Sequence, residues 1–227
     1  MRLLAIDTAT EACSAALWID GECREQYRVA PREHTRLILP MTEALLADAG
    51  IELGELDALA FGRGPGAFTG VRIAAGVVQG LAMGADLPVV AVSDLAALAA
   101  GAARATGESH VVACIDARMG EVYAGSYRID APGLAHLIGE ERVCAPEALD
   151  PPDGAWYVAG SGMLAYGDIL RQSLGARLAG ADGELLPHAA DIAALAVRMR
   201  DEGAGVAAEQ ALPVYLRDQV ATSKAGP

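Results

Sequence analysis

Leu3-Leu4-Ala5-Ile6-Asp7-Thr8, Cys13-Ser14-Ala15-Ala16-Leu17-Trp18-Ile19, Asp20-Gly21 and Glu22-Cys23-Arg24-Glu25-Gln26-Tyr27-Arg28-Val29 follow one another at the head of the chain, and their order decides the fold. A short apolar run stops at a carboxylate. A second runs into Asp-Gly, a pair suited to the positive φ of a tight hairpin, and a third segment returns. Three strands in meander order are therefore expected. The next segment reads as a helix, because Leu37, Ile38, Met41, Leu45 and Ala49 recur every three to four residues up to Gly50; Pro40 is expected to kink it. Leu56 to Gly62 reads as a buried strand and Gly62-Arg63-Gly64-Pro65-Gly66 as a tight turn. A helix then begins near Thr69, with Gly84 and Pro88 marking its end. Val89 to Val92 forms a further strand, and Ser93 is placed to N-cap an apolar helix from Leu95 to Ala103. The order is βββαβαβα.

The second half starts in the same way. Val111 to Ile115 ends in Asp116-Ala117, and after Met119-Gly120 the segment Glu121 to Tyr127 returns, so Asp116 repeats the position of Asp7. A strand at Trp156 to Ala159, the turn Gly160-Ser161-Gly162 and helices from Met163 to Leu174 and from Asp191 to Arg200 follow. Two βββαβα-type lobes, joined near Ala105 to Ser109, predict the duplicated α/β fold shared by actin, sugar kinases and acetate kinase. Residues 1–107 form the N-terminal lobe and 108–227 a smaller C-terminal one. A plain doubly wound α/β domain is the competing architecture.

A length of 227 residues with 53% hydrophobic content supplies ample material for a buried core. The net charge of −13, with Lys224 the single lysine, makes direct binding of nucleic acid unfavourable, since such affinity comes largely from neutralising phosphates. Four apolar residues before Asp7 are too few for a signal-peptide core. The most apolar stretch, Ile73 to Ala85, is interrupted by Gln79 and shorter than the roughly 20 residues of a membrane span. Cys13, Cys23, Cys114 and Cys144 form no CxxC pair and read as small apolar groups in a reducing cytosol.

Several residues could carry chemistry. Asp7 or Asp116 could hold magnesium through water beside Thr8 and Thr10, with Gly160 and Gly162 completing a nucleotide cleft; equally, Asp7 could cap its own turn. Gly62 to Gly70 follows a strand and opens a helix, as a phosphate cradle must, and Arg63 and Arg72 could pair with an acid or phosphate. No Gly-Lys-Ser or Gly-Lys-Thr follows, and Pro65 removes a donor, so this is not a P-loop. In the next helix Gly76, Gly80 and Gly84 fall on one face, at a cost of roughly 1 kcal/mol each relative to alanine. That strip is read either as a protein–protein interface or as ordinary packing on the sheet. The serines lack a GxSxG context, and His34, His110, His136 and His188 are dispersed. Asp116, Arg118 and Glu121 make an ion-pair cluster whose role is left open.

Leu4-Ala5-Ile6-Asp7-Thr8, Gly64-Pro65-Gly66-Ala67-Phe68-Thr69-Gly70-Val71-Arg72-Ile73, Asp116-Ala117-Arg118-Met119-Gly120-Glu121-Val122-Tyr123 and Pro213-Val214-Tyr215-Leu216-Arg217 together resemble the bacterial TsaB (YeaZ) family, over almost the full length. The resemblance implies an actin-like, ribonuclease H-like (ASKHA) fold. It also implies a role in forming N6-threonylcarbamoyladenosine at position 37 of tRNAs that read codons beginning with A. In that family the protein is a non-catalytic, cytoplasmic subunit that binds the paralogous transferase TsaD and joins the ATPase TsaE. ATP and metal belong to the partners, no cofactor is held tightly, and tRNA is met only indirectly. The paralogue holds its metal with an HxxxH pair; here Asp94 and Leu98 stand at those positions, so no metal and no catalytic residue is expected. The family's first two helices contact TsaD, or a second copy when the protein is alone. By position this implicates His34, Leu37, Ile38, Met41 and Leu45 on the first, and Thr69, Arg72, Ile73, Gly76, Val77 and Gly80 on the second. The competing functions are an ATP-dependent small-molecule kinase, consistent with Asp7 and the fold, and a metalloprotease.

Overall fold

The computed structural model describes residues 1–131 and 134–217; Lys224 and the end of the expected second lobe lie outside the described residues. β1 (Arg2–Asp7) pairs antiparallel with β2 (Ala12–Ile19), in a register that sets Asp7 opposite Ser14, and β2 pairs antiparallel with β3 (Glu22–Val29). The β2–β3 turn is made by Asp20 and Gly21, with φ of 48° and 100°, as its Asp-Gly sequence requires. β4 (Ala58–Gly62) lies parallel to β1, and β5 (Val89–Val92) parallel to β4, giving a sheet of order β3-β2-β1-β4-β5.

Alternation along β1 divides the core between two faces. Leu4 and Ile6 pack with Ile38, Met41 and Leu45 of α1 (His34–Ala49) and Ala74, Val78 and Ala82 of α2 (Phe68–Ala85). Leu3 and Ala5 face the other way. α2 begins one residue ahead of Thr69 and ends at Ala85, between Gly84 and Pro88 as its sequence suggests, with Asp86 in the left-handed region as its C-cap. Ser93 does cap α3 (Asp94–Thr106), its hydroxyl accepting from Ala96 N–H at 3.3 Å.

The second sheet has the order β10-β9-β6-β7-β8 and repeats the plan of the first. β6 (His110–Arg118), β7 (Glu121–Ala131) and β8 (Leu134–Cys144) form the meander, and β9 (Trp156–Ala159) and β10 (Leu178–Asp182) are the parallel strands. α4 (Gly162–Leu174) takes the place of α2, while only a 3-10 turn at Pro146–Ala148 stands where α1 would be. β8 and β10 escape sequence reading. β8 is a half-exposed edge strand interrupted by Gly139, and β10 is Leu-Ala-Gly-Ala-Asp, with few strand-forming side chains.

The last helix of each half crosses to the other. Leu95, Leu98, Ala99 and Ala102 of α3 pack on Val111, Ala113 and Ile115 of the second sheet. Ile192, Ala193, Leu195 and Ala196 of α5 (Ala189–Asp201) cover Leu3, Ala5, Ala16, Ala58, Ala60 and Val90 of the first. α5, which belongs by chain order to residues 108–227, thus packs on one face of the sheet formed within residues 1–107. The chain then continues along the first sheet, with Val206 bridging Val89, Gln79 Nε2 donating to Ala211 O at 3.1 Å, and Val214 N–H donating to Arg63 O at 2.7 Å.

Ile192 is fully buried against the first sheet, so Ile192→Ala should cost about 2–5 kcal/mol. Because that helix belongs by chain order to the second half, urea unfolding followed at Trp18 and at Trp156 should still show one shared transition, moved to lower denaturant.

Candidate functional site

The Gly-rich turn after β4, a candidate phosphate cradle by its sequence, has its backbone already engaged. A Cβ on Gly66 would lie 2.4 Å from Ala9 O, and one on Gly70 would lie 2.0 Å from Thr8 O. The Thr8 hydroxyl, fully buried, donates to Gly70 O at 2.7 Å. The turn and the start of α2 are thus pressed onto the β1–β2 connection, and Thr8 cannot reach a ligand in the cleft.

Beneath the turn, Asp7 and Asp94 are both completely buried. Asp7 Oδ1 accepts from Ala9 N–H at 2.7 Å, and Asp94 Oδ2 accepts from Gly64 N–H. One oxygen of each, Asp7 Oδ2 and Asp94 Oδ1, has no donor among the described residues. Gly62 lies against both carboxyls, since a Cβ there would stand 2.2 Å from Asp94 Oδ1 and 2.9 Å from Asp7 Oδ1. Burial pushes the Asp7 carboxyl up, with the Asp94 side chain partly offsetting it; burial first and the Asp7 charge second hold Asp94 well above the ordinary carboxyl range. Crowded into one buried space, the two carboxyls resist ionising together, so the pair holds a proton more tightly than an isolated carboxyl would. Asp7 thus caps its own turn and is closed off from solvent.

The other cleft residues are engaged as well. Asp116 Oδ1 accepts from Arg118 N–H at 2.8 Å and from Tyr166 O–H at 3.3 Å, and its Oδ2 pairs with Arg118 Nη1 at 2.8 Å. Gly160 and Gly162 are packing positions, where a Cβ would approach Cys114 O to 2.7 Å and Cys114 Sγ to 2.3 Å. From the Asp116, Arg118 and Glu121 cluster, Arg118 Nη2 reaches to 3.8 Å from Glu11 Oε1 of the first half, while Glu121 pairs with Arg217. Burial pushes the thiols of Cys13 and Cys114 up to about 11 and about 12, which leaves them poor nucleophiles.

The expected interface residues divide by helix. On α1, Ile38, Met41 and Leu45 are 0, 7 and 4% exposed and belong to the chain's own core, with Leu37 half-buried beside them. Buried His34 has Nε2 at 2.9 Å from Thr10 O. This corrects the α1 assignment: the apolar stripe at helical spacing is the one the sheet covers, and α1 turns Thr35, Arg36, Leu39 and Glu43 outward. On α2, Thr69, Arg72, Gly76 and Gly80 are exposed, with Ile73 and Val77 half-buried at the strip's border. A Cβ on Gly76, Gly80 or Gly84 would meet nothing within 4 Å, so the glycine face opens away from the chain.

Phe68 and Met83, 56 and 72% exposed, mark the two ends of that face. The Arg72 guanidinium lies 3.6 Å over the Phe68 ring and donates from Nε to Tyr215 Oη at 2.8 Å. Sequence reading missed Phe68, Met83 and Tyr215 as surface residues; Phe68 and Tyr215 lie within two of the motifs, and that was the available signal. α2 is also long and apolar enough, by composition, for a membrane span, but Val71, Ala74, Val78 and Ala82 bury one side of it in the core.

Two βββαβα-derived units interlocked through exchanged helices define a protein of the two-lobed actin-like class. A family model described as "TsaD: tRNA N6-adenosine threonylcarbamoyltransferase" matches residues 27–223. The tRNA threonylcarbamoyladenosine biosynthesis protein TsaB of Escherichia coli is 49% identical, over 99% of this chain and 98% of that one; its counterpart from Haemophilus influenzae is 42% identical, over 99% and 97%. YeaZ from Pseudomonas aeruginosa superposes with a TM-score of 0.88 at 51% identity, covering 95% of this chain and 99% of that one. A tRNA N6-adenosine threonylcarbamoyltransferase from Nitratidesulfovibrio vulgaris is 38% identical over only 49% of this chain and 30% of its own length. The chain belongs to the TsaB (YeaZ) family.

The shared proton has a measurable consequence. The folded chain keeps the Asp94 proton at pH values where the unfolded chain, with an ordinary carboxyl near 3.8, has released it. That contribution to stability is complete below the ordinary value and is lost as pH rises toward the folded one. Asp94→Asn, which can donate to Asp7 without titrating, should flatten the fall in stability that sets in as pH rises above the ordinary carboxyl value, read from urea titrations across pH. Parallel pH profiles for the two proteins would rule out the shared proton.

Proposed function

We propose that this chain is a non-catalytic subunit in the formation of N6-threonylcarbamoyladenosine at position 37 of tRNAs reading A-starting codons, and that it binds and supports a TsaD-type transferase through the outer face of α2. The observation that carries this reading is the character of that face. α2 has 18 residues and one charged side chain, Arg72, and its three outward glycines have no neighbour within the chain. A helix side that faces only water gains nothing from glycine, which costs about 1 kcal/mol per position. Close approach of another helix gives those glycines a use, and an apolar core rimmed by Arg72, Thr69 and the outward side of α1 suits such a contact.

The remaining features agree with an accessory role in the cytoplasm. Asp94 and Leu98, at the positions of the paralogue's metal ligands, are occupied in the carboxyl pair and in the core. Asp7, Thr8, Gly160 and Gly162 serve packing and capping, which supports a chain that holds no nucleotide tightly and leaves ATP and metal to TsaD and the ATPase TsaE. A net charge of −13 favours meeting tRNA through those partners. In their absence the same face would pair two copies of this chain.

Gly80→Arg should abolish co-purification with TsaD and leave the melting temperature of the isolated chain nearly unchanged, because the position is open. Gly80→Ala should raise the isolated chain's stability by about 0.5–1 kcal/mol while weakening the complex. Undiminished complex formation by both variants would remove α2 from the interface. Reconstituted modification with TsaC, TsaD, TsaE and ATP should depend on this chain; full activity without it would overturn the assignment.

A further inference from the structure

A cavity of about 510 Å³ lies between the edge strands β5 and β8, α5 and the segment near Val214, and takes none of its lining from α2. Its walls are largely apolar, with Val92, Leu134, Leu137, Leu195, Met199 and Leu212 among them. Polar groups from both halves converge at one end. Glu141, with its side chain only 9% exposed, accepts on Oε1 from the Ser93 and Tyr127 hydroxyls, and burial with the adjacent Glu141 charge holds the Tyr127 phenol well above its ordinary range. Glu141 Oε2 stands 3.7 Å from Arg63 Nη2, beyond hydrogen-bond distance, and accepts no hydrogen bond among the described residues. The Arg63 guanidinium, 32% exposed, likewise donates none among them.

An acid and a base that face each other without closing a hydrogen bond keep their acceptor and donor capacity for a third group. We propose that this cavity binds a small zwitterion of the α-amino-acid class with an apolar side chain. Its carboxylate accepts from the Arg63 fork, its ammonium donates to Glu141 Oε2, and its side chain lies on Leu137, Leu195 and Met199. A lone anion at Arg63 would sit beside the Glu141 charge, and a lone cation at Glu141 would sit beside Arg63. Opposite charges joined through one carbon satisfy both at once, so the site discriminates by repulsion as well as attraction. Arg198 and Glu202, also in the lining, add one charge of each sign. Because Arg63 belongs to the Gly-rich turn and Glu141 to β8, the ligand would bridge the two halves.

Titration of the isolated chain with L-leucine, followed by amide chemical shifts and by calorimetry, tests this independently of any complex with TsaD. The expected result is saturable binding with a dissociation constant on the order of 1 mM or tighter. Shifts should concentrate at residues 134–141 and 195–199, and both 4-methylpentanoate and isopentylamine should bind roughly tenfold more weakly or not at all. Arg63→Met and Glu141→Gln should each weaken L-leucine by a similar factor while melting as folded proteins. Should Glu141→Gln fail to fold, Arg63→Met decides alone. No saturable shift, equal binding of either single-charge analogue, or undiminished binding by Arg63→Met would overturn the proposal.

Discussion

Each sheet of this protein is closed on one face by a helix from the other half of the chain, and the rest of the molecule depends on that exchange. α3 leaves the first sheet for the second, and α5 returns from the second to the first. The edge strand of the receiving sheet meets each arriving helix with a glutamate at its start. Glu141 of β8 accepts from the N-cap Ser93 of α3; Glu25 of β3 accepts from Ala190 N–H of α5 at 3.0 Å and lies 2.9 Å from His188 Nδ1. A helix start presents unsatisfied N–H groups and partial positive charge, so a carboxylate there is favourable twice over. Arg104 of α3 closes the arrangement with a two-point contact to Asp191 of α5, at 3.1 and 2.9 Å. The halves are therefore set by core packing rather than by a linker, and α2 and the hairpin turns are held in fixed positions.

The duplication makes the fate of the two strand-end aspartates instructive. Asp7 ends β1 and Asp116 lies two residues before the end of β6, the central strands of matching meanders. Asp7 has been enclosed with Asp94 under a glycine that admits no side chain, whereas Asp116 keeps a small exposed fraction and is held by Arg118 and Tyr166. Asp116 is satisfied through both oxygens by its own surroundings, and Asp7 through one of its two. On the proposed reading that is the expected state of a subunit whose partner holds the reactive groups.

α2 shows a different compromise. Its inner side, Val71, Ala74, Val78 and Ala82, holds the helix on the sheet strongly enough to tolerate three glycines on the outer side. The Phe68, Arg72 and Tyr215 stack at one end draws the C-terminal segment across the helix, so the apolar border of the glycine strip is built from residues far apart in the chain. Stability within the chain and availability to a second chain are thus assigned to opposite sides of one helix.

The meander, its Asp-Gly turn, the helix cap at Ser93 and the repeat that places Asp116 with Asp7 are legible in the amino-acid order alone, because hairpin chemistry, capping and side-chain periodicity are local properties. That order also marked α2 as a helix with a glycine side. Only the tertiary structure decided which apolar stripe stays free. Leu37, Ile38, Met41 and Leu45 carry the same spacing whether they meet their own sheet or another protein, and periodicity records that a face is buried without recording by what. The same limit hid the exchange of α3 and α5 and the Asp7–Asp94 pair. Asp94 reads as an ordinary residue in the first turn of a helix, and its carboxyl is raised because folding buries it and sets beside it a second carboxyl from 87 positions away.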